Sequence, residues 1–398
     1  MIPRHLSGSL VRASGKYPVV YLTGPRQSGK TTLAKAIFPE HPYVSLEDPD
    51  EREFAAADAR GFLRRFRDGA VLDEIQRVPE LLSYLQGDVD RDARPGRFII
   101  TGSQQLLLRQ DVTQTLAGRV ALLQLLPFSL AELEQRRSAE LDSLARATGM
   151  PPAPRRSLET TLFEGLYPRI HDQGIDAADW LANYYRTYVE RDVRQVLKIG
   201  DLETFQRFVR LCAGRSGQLL NLSSLGADCG ISHSTARQWL SVLEASFLVL
   251  LLRPHHANFS KRLVKSPKLY FLDTGLLCYL LRVGHPDDLT THPAKGAIFE
   301  TFVVSELVKA FVHRGADPEL HFWRDRTGHE VDLLVDVPSA LVPVEAKVGR
   351  TVPSDAFAGL KYWLTLSGNP AAPGVLVYGG DEGYEREGIV VRPWYALG

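Results

Sequence analysis

The chain has 398 residues, 44% of them apolar, and its 47 basic and 47 acidic side chains give a formal net charge of zero. That length and apolar content support two or three domains with real cores and exclude global disorder, while a neutral chain leaves any attraction to nucleic acid to a local basic patch. The three scattered cysteines, Cys212, Cys229 and Cys278, exclude a disulfide framework or a cysteine zinc cluster and fit a reducing compartment.

In chain order, Val19-Val20-Tyr21-Leu22-Thr23 reads as a short buried strand. Gly24-Pro25-Arg26-Gln27-Ser28-Gly29-Lys30-Thr31 then fits the phosphate-binding pattern G-x-x-x-x-G-K-[ST], and a helix from Thr31 and Thr32 to Phe38 is stopped by Pro39. Gly24 and Gly29 permit backbone conformations and close approaches that a Cβ blocks. The loop amides and the helix N-terminus are expected to face a polyphosphate, with Lys30 on the β- and γ-phosphates and the Thr31 hydroxyl on Mg²⁺. ATP and Mg²⁺ are the implied ligands, and the loop from Gly24 to Thr32 their predicted seat.

Tyr43 to Leu46 reads as a second strand and Glu51 to Phe66 as one helix. Ala70-Val71-Leu72-Asp73-Glu74 is an apolar strand ending in two carboxylates, the form of a Walker B element. Asp73 would complete the Mg²⁺ shell opposite Thr31, and Glu74 would orient or deprotonate the attacking water. An isolated Asp-Glu pair also ends many strands at a solvated turn; its spacing after the P-loop favours the catalytic reading. The next strand, Arg97 to Ser103, sets Thr101 or Ser103 beside Asp73 as a γ-phosphate sensor or as a cap for the following helix. Arg119 reads equally as a charge-stabilising arginine, in cis or toward a neighbouring subunit of a homo-oligomer, and as a surface salt bridge.

G-P-R-Q-S-G-K-T-T-L, V-L-D-E-I-Q, I-I-T-G-S-Q, L-A-G-R-V and L-L-P-F-S-L-A-E-L, in that order, resemble the AAA-type ATPase domain of a large prokaryotic family. Its members carry a C-terminal domain of unknown function with a restriction-endonuclease-like signature. The resemblance implies a P-loop sheet in the ASCE order and a sensor near Ser103, and it makes Arg119 a family-typical position. Glu164 departs from a family turn that usually has two glycines.

Between Glu134 and Leu158 a helix over 139–147 and a Pro-rich extended piece, Met150 to Arg156, mark a boundary. Asp179 to Ile199 reads as a long helix whose Trp180, Tyr184, Tyr185 and Tyr188 pack a core; Glu190-Arg191-Asp192 resembles a family signature and reads as a surface ion-pair cluster. Asn221 to Ser232, followed by a helix from His233 to Ser246 with Ala236, Leu240 and Leu243 facing inward, makes a helix-turn-helix pattern. Strands at 247–252 and 268–272 would form a wing, and the basic segment 253–268, with Arg253, Lys261, Arg262, Lys265 and Lys268, is a candidate DNA contact beside His233 and Arg237. Winged helices also serve as protein-protein modules, so both readings stand.

Gly296 to Val308 reads as an amphipathic helix carrying Glu300, and the strands at 321–324, 330–335 and 342–347 follow. Glu345 and Lys347, two apart on a strand, share a face, and Asp332 on the neighbouring strand can meet them. This set resembles a PD-(D/E)xK nuclease core in which Glu300, Asp332 and Glu345 bind Mg²⁺ and Lys347 activates water. The predicted class is α/β: a P-loop NTPase parallel sheet (1–133), a linker and helical region (134–210), a winged-helix-like domain (211–285) and a restriction-endonuclease-like domain (286–398). Two functions fit. One is an ATPase coupled to a nucleic-acid-contacting winged helix and a metal-dependent nuclease; the other is a nucleotide-gated regulatory or scaffold protein whose nuclease-like domain is inactive and binds a protein. With no apolar leader before the first strand and no run long enough to span a bilayer, a cytoplasmic location without membrane contact is expected.

Overall fold

The computed structural model describes residues 2–103, 115–137, 140–146, 149–190, 201–255, 264–368 and 373–397, the side chains of 188–190 excepted. The chain divides into two compact units. The first is Met1–Phe128 with Ala245–Phe247 and Val312–Asp317; the second is Ser129–Glu244, Leu248–Phe311 and Pro318–Gly398. Among the described residues no helix is long and apolar enough to cross a membrane.

The first unit runs α1 (Ser7–Ser14), β1 (Val19–Thr23), α2 (Lys30–Ile37), β2 (Tyr43–Ser45), α3 (Pro49–Ala57), α4 (Ala59–Arg64), β3 (Ala70–Asp73), α5 (Leu81–Arg91), β4 (Phe98–Gly102) and β5 (Val120–Gln124). The strands form a parallel five-stranded sheet in the order β2-β3-β4-β1-β5, with β4 between the P-loop strand and β3, as the resemblance implied. Both faces are covered, so the strands read as unbroken apolar runs. Alternate residues serve two cores: Val19, Tyr21, Leu72, Phe98 and Ile100 enter one, Val20, Leu22, Val71 and Ile99 the other. The single helix expected over 51–66 is two helices. Asp58, at φ −137°, breaks the first and caps the second by accepting from Gly61 N at 2.8 Å.

The second unit opens with α6 (Leu130–Leu133). Where a helix was expected over 139–147, the described part holds only a 3₁₀ turn, Leu141–Ser143. The Arg392 guanidinium takes the carbonyls of Ser143, Leu144 and Arg146 at 2.8, 3.0 and 2.8 Å, acceptors that a continuing helix would use. Then come α7 (Leu158–Glu164), α8 (Pro168–Gln173) and α9 (Ala177–Tyr184), which passes into a π-helix, Tyr185–Glu190. The rest of the long helix predicted there, with Arg191 and Asp192, lies outside the described residues, as does the Glu190 side chain. Trp180 and Tyr184 stack at 4.9 Å and are buried with Tyr167 and Tyr185, a packed core rather than a ligand box.

Next come α10 (Leu202–Ala213), β6 (Gln218–Leu219), α11 (Leu222–Cys229), α12 (His233–Ala245), β7 (Val249–Leu252) and β8 (Lys268–Phe271), with an antiparallel sheet in the order β6-β8-β7. Ala236, Leu240 and Leu243 of α12 are buried, in the predicted stripe. After α13 (Thr274–Leu280) and α14 (Lys295–Val312), the chain builds a six-stranded mixed sheet from β9 (Leu320–Arg324), β10 (Glu330–Val337), β11 (Ala340–Lys347), β12 (Gly374–Tyr378), β13 (Tyr384–Arg386) and β14 (Ile389–Pro393). The order is β13-β14-β12-β11-β10-β9. The β9-β10-β11 pairs are antiparallel, and β11-β12-β14 run parallel. On one face α15 (Ala358–Ser367) buries Leu360 and Trp363 among Trp323, Leu334 and Leu376. Backbone bonds tie the segment between β7 and β8 to β9: Phe322 N to Arg253 O at 3.1 Å, His255 N to Phe322 O at 2.8 Å and Val264 N to Arg324 O at 3.3 Å.

Candidate functional site

The strand-loop-helix predicted for the P-loop is present. Gly24 has φ +149°, and a Cβ on it would stand 2.0 Å from Leu125 O, so β5 admits only glycine there. Gly29, at φ +92°, caps α2 in a left-handed conformation. Gln27 also has a positive φ, 64°, and is exposed, while Arg26 lies 3.8 Å from Glu47. From below, the Arg4 guanidinium donates to Ser28 O at 2.7 Å and Leu126 O at 2.6 Å, a brace between the loop and the end of β5.

Lys30 is buried and folds back on its own loop, giving Nζ to the carbonyls of Gly24 at 3.0 Å and Pro25 at 2.9 Å. Burial pushes its ammonium down to about 8, against the pull of Glu74 and Asp73. The Ser28 hydroxyl is buried without a hydrogen-bond partner. An under-neutralised lysine and an unmet hydroxyl are what an incoming polyphosphate would satisfy. Thr31 and Thr32 start the helix, Thr32 exposed.

Asp73 gathers hydroxyls: Thr31 Oγ1 at 2.9 Å, Tyr43 OH at 2.7 Å and the Thr101 hydroxyl. Glu74 is in the left-handed region, φ 57°, which costs a non-glycine residue roughly 1–2 kcal/mol. Its Oε2 accepts from Ser103 Oγ at 3.1 Å and from Gln76, and its amide donates to Thr101 Oγ1 at 3.3 Å. Thr101 therefore supports Asp73 and Ser103 supports Glu74, contacts beside the γ-phosphate-sensor and helix-cap readings that the sequence offered for them. Tyr43, Gln76 and Arg4 were not foreseen as site residues; Tyr43 and Arg4 lie outside the motif strings, and Gln76 closes the string V-L-D-E-I-Q.

Arg119 is not brought to the loop. It precedes β5, its carbonyl receiving Val19 N at the amino end of the strands, whereas the P-loop leaves the carboxyl end of β1. It pairs with Asp90 at the surface, so the salt-bridge reading holds for Arg119 within one chain.

In the second unit Glu300, Asp332, Glu345 and Lys347 do converge. Lys347 Nζ donates to Glu345 Oε1 at 2.6 Å, and Ala346 N donates to Asp332 Oδ2 at 3.0 Å. The register of β10 on β9 shifts between Val331 and Leu334, the stretch that contains Asp332. The cluster also holds two residues the sequence reading gave no place in it. Glu330 is one. The other is Lys268, expected as a phosphate-contacting residue of the basic segment, which instead is buried with Nζ 2.9 Å from Glu300, 2.5 Å from Glu330 and 3.7 Å from Asp332. Burial alone would lower the Lys268 ammonium, but Glu300, Asp332 and Glu330 hold it above its ordinary value. Burial, then Asp332, pushes Glu300 up to about 7 and Glu345 up to about 8.

The donor set of carboxylates suits a hard divalent ion, yet an ammonium stands among these oxygens. Among the described residues no group of three His, Cys, Asp or Glu side chains is disposed to hold a metal. The expected Mg²⁺ site of Glu300, Asp332 and Glu345 is, in this conformation, an ion cluster built around Lys268.

Of the DNA-contact candidates, Lys261 and Arg262 lie outside the described residues. Arg253 and Lys265 are exposed, and α12 presents His233, Arg237 and Gln238 on one exposed polar face.

Residues 16–134 match the family described as AAA domain, 155–287 a domain of unknown function (DUF8612) and 295–397 a domain of unknown function (DUF4143). The chain is 33% identical over 336 residues to "Uncharacterized protein Rv2008c" of Mycobacterium tuberculosis, covering 84% of this chain and 71% of that protein. "Uncharacterized protein Mb2031c" of Mycobacterium bovis matches to the same extent. Among solved structures, the Walker-type ATPase PABY2304 of Pyrococcus abyssi is similar at a TM-score of 0.48 and 16% identity, over 71% of this chain and 96% of that one. AMPPCP-bound DnaA from Aquifex aeolicus is similar at 0.30 and 15%, over 60% and 85%.

Proposed function

We propose a function from the premise that the chain belongs to the family of the Mycobacterium tuberculosis protein Rv2008c and carries an AAA-type P-loop ATPase domain ahead of a C-terminal DUF4143 domain. It is an ATP-hydrolysing switch. Gly24 to Thr32 cradle the triphosphate, and Lys30 leaves its two carbonyls for the β- and γ-phosphate oxygens. Glu74, steadied by Ser103 and Gln76, accepts the proton of the attacking water. Thr31 and Asp73 would hold Mg²⁺, which neutralises charge on the phosphates. The observation that carries this reading is Lys30: a buried, charge-bearing side chain whose partners, two neutral carbonyls, are readily exchanged for anionic oxygen.

The output is binding rather than cleavage. The order helix-strand-helix-helix-strand-strand over 202–271 and the polar face of α12 support a winged helix that touches nucleic acid, with phosphate contacts from Arg253 and Lys265. Lys268 among the carboxylates supports a nuclease-like domain at rest, in which Glu345 and Lys347 do not act as hydrolytic groups. Residues 1–133 then form the motor, 134–210 the connection, 211–285 the reader and 286–398 the effector.

The test is ATP turnover by the full chain, with and without duplex DNA, beside cleavage of plasmid and single-stranded DNA in Mg²⁺ or Mn²⁺. Turnover raised by DNA, with no cleavage, is expected. No turnover under any condition would refute the switch, and cleavage lost in Lys347→Ala would replace the resting domain by a working nuclease.

A further inference from the structure

Lys268 has no part in the ATPase chemistry, and its burial removes it from the basic surface. It opens β8 at 3% exposure, with three carboxylates around it: Glu300 at 2.9 Å, Glu330 at 2.5 Å and Asp332 at 3.7 Å. Tyr270 is two residues further along the same strand and therefore on the same face. It gives its hydroxyl to the same Glu300 oxygen at 2.5 Å. Glu330 is shared in turn with Arg324 at 3.0 Å. One acceptor is left over: Glu345 Oε1 receives Lys347, but Oε2 is buried with no hydrogen-bond partner.

These oxygens are the ligand type that Mg²⁺ or Mn²⁺ selects. Mg²⁺ needs oxygen on all sides at about 2.0–2.1 Å, and the ammonium now occupies the point between Glu300 and Asp332 where such oxygens would converge. The same carboxylates cannot serve both cations. Removing the ammonium would leave Glu300 and Asp332 without a counter-charge and Glu345 with Lys347 alone, its Oε2 still open, which is the condition for taking up a divalent ion.

We propose that Lys268 is the built-in cation of this cluster, and that a divalent oxygen-seeking ion binds between Glu300, Asp332 and Glu345 only when Lys268 is withdrawn. Val264, four residues before Lys268, gives its amide to Arg324 O of β9 at 3.3 Å, so the lysine reaches the cluster from an anchored point. The inference rests on the second unit alone, and it stands or falls independently of ATP hydrolysis.

Mn²⁺ binding to the nucleotide-free full chain, read from the loss of the free-ion EPR signal, tests it. Wild type is compared with Asp332→Asn, Lys268→Met and the Lys268→Met/Asp332→Asn double variant. Wild type and Asp332→Asn should take up Mn²⁺ equally. Lys268→Met should bind one further ion at least tenfold more tightly than wild type, and the double variant should lose it. An additional ion in wild type that Asp332→Asn lacks overturns the proposal, because the cluster would then hold metal with its lysine in place. A Lys268→Met chain that is folded by circular dichroism and takes up no additional ion overturns it as well. Should Lys268→Met not fold, Lys268→Gln, which keeps a long polar side chain without the charge, is read in its place, with the same gain expected and the same absence of an additional ion overturning the proposal.

Discussion

Lys30 of the first unit and Lys268 of the second are both buried in polar sites, and the two are held in opposite ways. Lys30 has two neutral carbonyls at 3.0 and 2.9 Å, and burial drags its ammonium down to about 8. Lys268 has three carboxylates, and they hold its ammonium up despite equal burial. Burial is therefore common to both and decides neither. A lysine with dipoles for partners gains by meeting an anion, so it is poised to move. A lysine already inside a ring of anions loses by leaving, so it holds elements together.

Predictions can break or sharpen that contrast. The largest concerns the chemistry beside Lys30: Glu74→Gln should lower ATP turnover by about 10²–10⁴ with binding intact, the range for loss of a general base. Equal turnover would remove Glu74 from the mechanism. Next, Lys268→Ala should destabilise the fold by about 3–5 kcal/mol, as breaking one partner of a buried ion pair does, whereas Lys30→Ala should cost less, about 2 kcal/mol, because its partners are two neutral carbonyls and no buried charge is left unpaired. Urea melts of both variants read this, and similar losses would erase the distinction. Lys30→Ala should instead weaken ATP binding on the order of 100-fold, about 2.7 kcal/mol, followed by fluorescent-nucleotide titration; unchanged affinity would refute the phosphate site.

The pH dependence has a definite sign. The free protein loses the Lys30 proton as pH rises through about 8, while bound phosphate favours the charged form. ATP affinity should therefore be level below pH 8 and fall above it, by up to about tenfold per pH unit. A flat profile to pH 9.5 would mean that Lys30 is not depressed. The smallest effect is at Arg119, which lies at the far end of the strands: Arg119→Ala should leave nucleotide affinity of the isolated chain unchanged, and a marked loss would indicate that another copy presents this residue to the loop.

The P-loop site was legible because its chemistry is local. Gly24, Gly29, Lys30 and Thr31 sit in one string, and Asp73-Glu74 ends the strand next in hydrogen-bonding reach of Thr101. The carboxylate cluster was half legible. Strand periodicity placed Glu345 and Lys347 on one face and Asp332 beside them, but nothing in period or spacing could show that Lys268 turns inward. Read in sequence, it closes a basic run; in space, it is the first residue of a strand whose outward neighbours are carboxylates from α14 and β10. Arg119 was left between two readings for a related reason. A motif gives an order along the chain, and only the parallel register of β1 and β5 shows to which end of the sheet an arginine falls. The broken helix at Asp58 and the 3₁₀ turn at Leu141 were lost to side-chain bonds, one accepted by Asp58 and three donated by Arg392, that outweigh helix propensity over a short span.

The Arg4 brace bears on how the chain can be shortened. The stretch that matches the AAA domain begins at residue 16, and an expression boundary drawn there would look safe. It would discard α1 with Leu6 and Leu10, both fully buried, and with them the guanidinium that fastens Ser28 to Leu126. A core trimmed at 16 would keep every residue of the nucleotide motif and lose the strut beneath it, so a weak or inactive trimmed ATPase would report on the trimming rather than on the enzyme.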